Sequence, residues 1–333
     1  MARARLVRAG VLAMAATAPG FLGLATVQVE AGIAGAFGAY LLVVSFPKLP
    51  AREPRAKLLV AAASFGGSAA LGAFCGLDLW RLMPAAILFA LWQARTELVP
   101  VSLRPVAALS ALAMALSTAP LPPGLTPATY GLALGAGALW QAVWVAALVP
   151  AGETGRRGWR SELVLPWQGL FHAYAPPPVE GRKVGARFDL VMAVLAAVGS
   201  VLVVVMPVPH SGWLLTTALR VMKPTRTETL HRMHRRGLGT VLGSVAAVAI
   251  LSVGMPLALH IALMGAILCA MLVAGPQRYG LYSFCLTVVA LNFAASPGEA
   301  VTALGGYRVE LTLGGLALGL LACLALPATG QKA

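Results

Sequence analysis

Charge is what this sequence has least of. Only 11% of its 333 residues are Asp, Glu, Lys or Arg, against about a quarter in soluble globular domains. A chain so poor in polar surface is excluded as an ordinary soluble domain. Acidic residues are the scarcest, 11 against 25 Lys and Arg. The four cysteines, Cys75, Cys269, Cys285 and Cys323, lie in apolar surroundings without CxxC or Cys/His spacing, which points to neither a zinc site nor a disulfide framework. Walker, HExxH and GxSxG sequences are also missing, so the chain is read as no enzyme, with no cofactor, no metal and no ATP-driven step of its own.

What is present is apolar: 59% hydrophobic residues and a mean hydropathy of +0.82. A bilayer core takes about 20 mostly apolar residues per helical span, and the chain divides into candidate helices near 8–26, 29–46, 58–77, 81–96, 103–120 and 127–149, then 188–206, 210–222, 237–254, 256–274, 279–296 and 305–327. The reading is an all-α polytopic membrane protein of about twelve spans. The basic, apolar N-terminus has the look of a signal peptide, but it is needed as the first span and is read as retained.

The net charge of +14 does not point to nucleic acid, because the cations fall in short clusters between apolar runs. Topology accounts for them. With the N-terminus inside, alternate loops carry Arg3/Arg5/Arg8, Lys48/Arg52/Arg55/Lys57, Arg95/Arg104, the linker 150–187, the segment 223–236, Arg278 and Lys332, and only Arg81 and Arg308 fall on the other side. The positive-inside rule then predicts both termini in the cytoplasm. The partner so implied is the lipid bilayer, and self-association into a homo-oligomer stays open.

An offset of 177 residues superimposes Pro224 on Pro47, Arg232 on Arg55, Gly243 on Gly66 and Pro327 on Pro150. Two six-helix halves, 1–149 and 188–333, therefore read as degenerate copies joined by a basic linker, 150–187, whose Trp159, Trp167, Phe171 and Tyr174 suit the headgroup layer. An even number of spans per copy makes the repeats parallel, related by an axis along the membrane normal.

In the second copy, Arg236, Gly239, Thr240 and Gly243 follow Arg232 at spacings of 4, 7, 8 and 11, which place them on one helical face. Gly239 and Gly243 form a GxxxG pair suited to close helix approach. The fuller pattern, Trp213, Leu215, Thr216, Pro224, Thr229, Arg232, Arg236, Gly239, Thr240 and Gly243, resembles the signature of the fusaric acid resistance-like family, which includes bacterial aromatic acid exporters. That resemblance implies a multi-pass bacterial inner-membrane permease that expels aromatic or similarly hydrophobic organic anions using the proton gradient. Plant aluminium-activated malate channels look like distant relatives, so a passive organic-anion channel is the alternative, beside a membrane interaction subunit without transport. Larger members carry a cytoplasmic domain, for which this chain has only the linker.

Two readings attach to each candidate site residue. Arg232 and Arg236 either hold a loop inside or form an electropositive vestibule for organic anions. The short, proline-led segment near 210–222 offers Trp213 for ring stacking and Thr216 or Thr217 for a carboxylate; the bland counterpart is threonines bonded to their own helix and Trp213 in the outer interfacial belt. His260 is the candidate for proton coupling, being the most central titratable group among the spans, while Arg308 and Glu310 are expected to face the interface. His231 and His234 stand at metal-compatible spacing but lack acidic partners, and no metal is assigned.

Overall fold

The computed structural model describes residues 2–46, 55–98, 104–148, 182–206, 208–275, 278–294 and 300–328. Pro47, Pro150 and the linker aromatics lie outside the described residues. Twelve helices and no strand occur among those described. They are α1 (Ala2–Ala25), α2 (Val29–Ser45), α3 (Arg55–Cys75), α4 (Leu79–Leu98), α5 (Arg104–Leu116) and α6 (Pro127–Ala147), followed by α7 (Arg182–Val205), α8 (Gly212–Val221), α9 (Arg226–Ser252), α10 (Leu257–Ala274), α11 (Tyr279–Ala294) and α12 (Val301–Cys323).

Local chemistry fixes the helix ends. At α6, Thr126 accepts from the Thr129 amide at 3.2 Å while Thr129 Oγ1 accepts from the Thr126 amide at 2.8 Å, and Pro127 fills the first turn. That is a capping box closing over a residue with no amide to lose. At α9, Thr225 accepts from the Glu228 amide and Glu228 sits in the positive first turn. This cap starts the helix at Arg226, well before the expected 237. The basic segment is therefore helix, not loop. Its start is tied to the end of α12 by Arg226, whose amide donates to Pro327 O at 2.9 Å and whose Nη2 donates to Leu324 O at 2.8 Å.

Among the described residues, five helices are long and apolar enough to cross a membrane: Leu6–Ala25, Lys57–Cys75, Pro127–Ala147, Val184–Val205 and Leu257–Ala274. The outward face of α7 shows why water is the wrong solvent, for Leu190, Val194, Val198, Val201 and Val205 form one exposed apolar stripe. The interior, conversely, holds hydroxyls, amides and guanidinium groups. Many of the hydroxyls return a bond to their own helix, as Ser45 does to Leu41 O and Ser200 to Ala196 O, which satisfies them without water. This is a multi-pass membrane protein.

Within the first half, α6 packs on α2 and α3, α1 on α2, and α5 on α3 and α4; within the second, α12 packs on α8 and α9, α7 on α8, and α11 on α9 and α10. The halves meet along α4 with α7, α1 with α10, and α5 with α8. Glycine permits the closest of these approaches. A Cβ on Gly137 would run into Gly35 O, one on Gly38 into Leu134 O, and one on Gly315 would lie 2.6 Å from Leu214 O. The central helices are α2 and α8. Every residue of α8 is buried, and its ten residues span only about 15 Å, too short to cross a hydrocarbon core of about 30 Å. Its broken ends are tolerated because protein surrounds them.

Close packing predicts a contrast. Gly137→Ala is expected to cost about 1–3 kcal/mol by overpacking and to lower the melting temperature in detergent. Gly67→Ala, where a Cβ meets nothing within 4 Å, is expected to leave it unchanged or slightly raised. Equal melting of the two variants would contradict this packing.

Candidate anion-binding cavity

A cavity of about 620 Å³ opens between the halves. Val44 of α2 and Glu97, Arg104 and Leu109 of α4 and α5 line it from one side, and Arg220, Lys223, Arg232, Tyr279 and Tyr282 from the other. Five lining cations, Arg104, Arg220, Lys223, Arg232 and Arg235, face two carboxylates, Glu97 and Glu228. The cavity is electropositive.

Behind the cavity, further arginines are buried because they interrupt apolar helical stripes. On α9 the buried face runs through Thr229, Met233, Arg236, Gly239, Thr240, Gly243, Ser244 and Ala247, so Arg236 occupies a core position by its spacing alone. On α12 the face Leu304, Arg308, Leu311, Thr312, Gly315 and Gly319 does the same for Arg308. Arg236 is 1% and Arg308 2% exposed, and Arg220, in the last turn of α8, is 8% exposed. Arg308, expected at the interface, is thus internal; its position in the small-residue stripe that packs on α8 draws it inward. Glu310 is exposed, as expected.

Among the described residues, these guanidinium groups lack ordinary counter-charges. Arg220 Nη1, Arg236 Nε and Nη2, Arg308 Nε and Nη1, and Arg232 Nε have no hydrogen-bond partner. Among the described residues no carboxylate forms an ion pair with any of the four; the carboxylates that do pair take Arg81, Arg95, Arg104 and Lys223. Aromatic rings replace them. Arg232 Cζ lies 4.9 Å from the centre of the Tyr279 ring and Arg308 Cζ 4.8 Å from that of Trp213. Tyr40 and Tyr282 are buried beside Arg220. Cation–π contact recovers about 2 kcal/mol or more for a desolvated cation, short of the several kcal/mol that each buried ion costs.

At the cavity's rim, in contrast, two cations meet a carboxylate. Lys223, in the joint between α8 and α9, donates to both oxygens of Glu97 at 2.6 Å. Arg104 Nε lies 3.6 Å from the same carboxylate while its side chain donates to the backbone oxygens of Thr96 and Glu97 at 3.0 Å each. Burial, and next the neighbouring Arg232, hold the Lys223 ammonium below the usual lysine range, against the pull of Glu97. Nearby, Gln93 Nε2 donates to Leu219 O at 2.8 Å and Arg95 pairs with Asp189 at 2.6 Å, so α4 is fastened to α7 and α8.

The residues singled out from sequence take different places in the structure. Arg232 lines the cavity and Arg236 continues one helical turn deeper. Trp213 is 2% exposed, under Arg308 and stacked on His210 with ring centres 4.7 Å apart, and so not in an outer belt. Thr216 donates to Gly212 O at 2.9 Å, the bland reading, whereas Thr217 is fully buried with an unpartnered hydroxyl. Gly239 and Gly243 face α11: a Cβ on either would lie 2.7 Å from a backbone oxygen, Gly280 O or Phe284 O. Thr240 meets Thr287, hydroxyl to hydroxyl, at 3.5 Å. His260 lies in the first turn of α10, half-buried, and outside the cavity lining. Arg220, Arg308, the tyrosines and the Glu97 cluster were not chosen from sequence as site residues. A cation or tyrosine inside an apolar run was the available signal.

Residues 195–322 match the family described as fusaric acid resistance protein-like, the family that the Trp213-to-Gly243 pattern resembles. No curated protein and no solved structure matches the chain.

A buried, unpaired charge is a stability liability, which gives a prediction. Replacing such groups by apolar side chains of similar volume is commonly neutral or stabilising by about 1–4 kcal/mol. Arg308→Met is therefore expected to melt at or above the wild-type temperature in detergent. A clearly lower melting temperature would mean that Arg308 is fully compensated where it stands.

Proposed function

We propose that this fusaric acid resistance-like chain is an inner-membrane permease for hydrophobic or aromatic organic anions, which enter the cavity between its halves and pass Arg232, Arg220, Arg236 and Arg308. The observation that carries the reading is the set of buried guanidinium groups with unpartnered N–H donors. Such groups fit a path whose counter-charge arrives with the cargo, because a carboxylate supplies the hydrogen-bond acceptors that the fold withholds. A volume of about 620 Å³ lies within the usual range of small-molecule sites. Tyrosine and tryptophan faces beside the cations suit cargo that joins an apolar ring to an acid group.

Duplication is part of the proposal. It is supported by the packing scheme, in which the second, third and sixth helices of each half pack alike, as do the first on the second and the fifth on the third and fourth. Parallel repeats with both termini in the cytoplasm follow from the charge pattern of the loops. Export driven by protons, with His260 as the coupling group, extends the reading further. A passive anion channel is its competitor, favoured by the continuity of cations from Arg232 to Arg308.

Purified protein in lipid vesicles tests these readings together. Accumulation of benzoate against its gradient under an imposed proton gradient identifies a coupled permease, and anion current without accumulation a channel. Arg232→Gln and Arg236→Gln are each expected to lower flux about tenfold or more, for loss of an interaction worth more than about 1.4 kcal/mol, in protein that remains folded. His260→Gln is expected to remove the proton dependence while leaving downhill benzoate movement. Flux unchanged by both arginine substitutions would take the arginines out of the path.

A further inference from the structure

The Glu97 cluster joins the two halves at the cavity's mouth in an unusual manner. Glu97 belongs to the first half and Lys223 to the second, and both Glu97 oxygens lie 2.6 Å from the Lys223 ammonium. Arg104, of the same half as Glu97, stands 3.6 Å from that carboxylate, its guanidinium anchored on the backbone oxygens of residues 96 and 97. Glu97 therefore has a second cation within its own half. Lys223 has no other carboxylate among the described residues. Its ammonium looks into the cavity beside Arg232 and Arg220.

We propose that Lys223 is the first carboxylate-binding group of the pathway, and that Glu97 is a tethered carboxylate occupying it between loads. This rests on the anion-permease reading of the cavity. An incoming carboxylate takes the two acceptor positions on Lys223, and Glu97 shifts toward Arg104. Each cation then keeps one carboxylate, so the exchange costs little charge desolvation. The mouth bond between the halves breaks with it. Gln93 to Leu219 and Arg95 to Asp189 still hold α4 to the second half, which confines the change to the rim. Cargo without an acid group has no means of displacing Glu97, so the latch selects for carboxylates before the deeper arginines are reached.

A tethered competitor and an ordinary structural ion pair predict opposite signs. Removing a competitor tightens binding of free carboxylate, whereas removing half of a structural pair loosens it. Binding of labelled benzoate to the purified full chain, measured by equilibrium dialysis, separates them. Glu97→Gln is expected to bind benzoate about fivefold or more tightly than wild type, because the buried ammonium has lost its internal partner. Lys223→Gln is expected to bind it about fivefold or more weakly. Arg81→Gln, at an exposed pair with Asp78, is expected to match wild type. Should Glu97→Gln not fold, Glu97→Asp, whose shorter side chain draws the carboxylate back from Lys223, is expected to shift affinity in the same direction. Wild type without measurable binding beside a Glu97→Gln that binds would also support the latch. Wild-type binding that Glu97→Gln leaves equal or weaker overturns the latch and spares the permease reading, and absence of binding in every variant overturns both.

Discussion

Guanidinium groups held away from water, with no carboxylate paired to them among the described residues, are the constraint on which the rest of this structure turns. A membrane protein must be apolar outside, where lipid replaces water, so its charge can be hidden only within. Here Arg236 and Arg308 are hidden almost completely, on faces of α9 and α12 that otherwise carry small and apolar residues. Tyrosine and tryptophan rings soften the cost and do not remove it. The fold around them is rigid enough to sustain the deficit because glycine contacts bring α9 against α11 and α12 against α8 at backbone distance. Packing supports the buried charge, and Arg104, Arg220, Lys223, Arg232 and Arg235 give the cavity its sign.

The acid groups are distributed to the same end. Among the described residues, Asp189 engages Arg95 and Glu97 engages Lys223 across the seam between halves, Arg104 stands beside Glu97 within its own half, and none pairs with Arg236 or Arg308. Carboxylates thus join the halves at their seam, while the interior arginines have no ion pair among the described residues. The two regions differ in what a mobile carboxylate does there. On the proposed anion path, it would compete at the rim with one already present and would supply in the interior what is missing.

Much of this was legible in the amino-acid order, because the bilayer imposes long apolar stretches and loops carry the charge. The expected spans 29–46, 127–149, 256–274 and 279–296 lie close to α2, α6, α10 and α11. The start of α9 was not, since eleven residues of cationic helix look like loop when hydropathy is the guide; the Thr225 cap with Glu228 three residues on was the stronger signal. Along the register Arg232, Arg236, Gly239 and Gly243, the last three are buried and Arg232 is only partly so. Arg308 was misplaced because distance along the helix from its outer end says nothing of which neighbour it faces. Contacts between distant segments, such as Glu97 with Lys223 or Trp213 with Arg308, have no local pattern to betray them.

The central claim, that an organic anion supplies the missing counter-charge inside this protein, is tested most directly by locating one. Crystals or frozen particles of the protein with 4-iodobenzoate bound would mark the ligand by its iodine. The account predicts the iodinated ring in the cavity against Tyr279 or Tyr282, with the carboxylate within hydrogen-bond distance of Arg232, Arg220 or Arg236. Ligand found only on the lipid-facing surface, with the cavity unchanged, would contradict it.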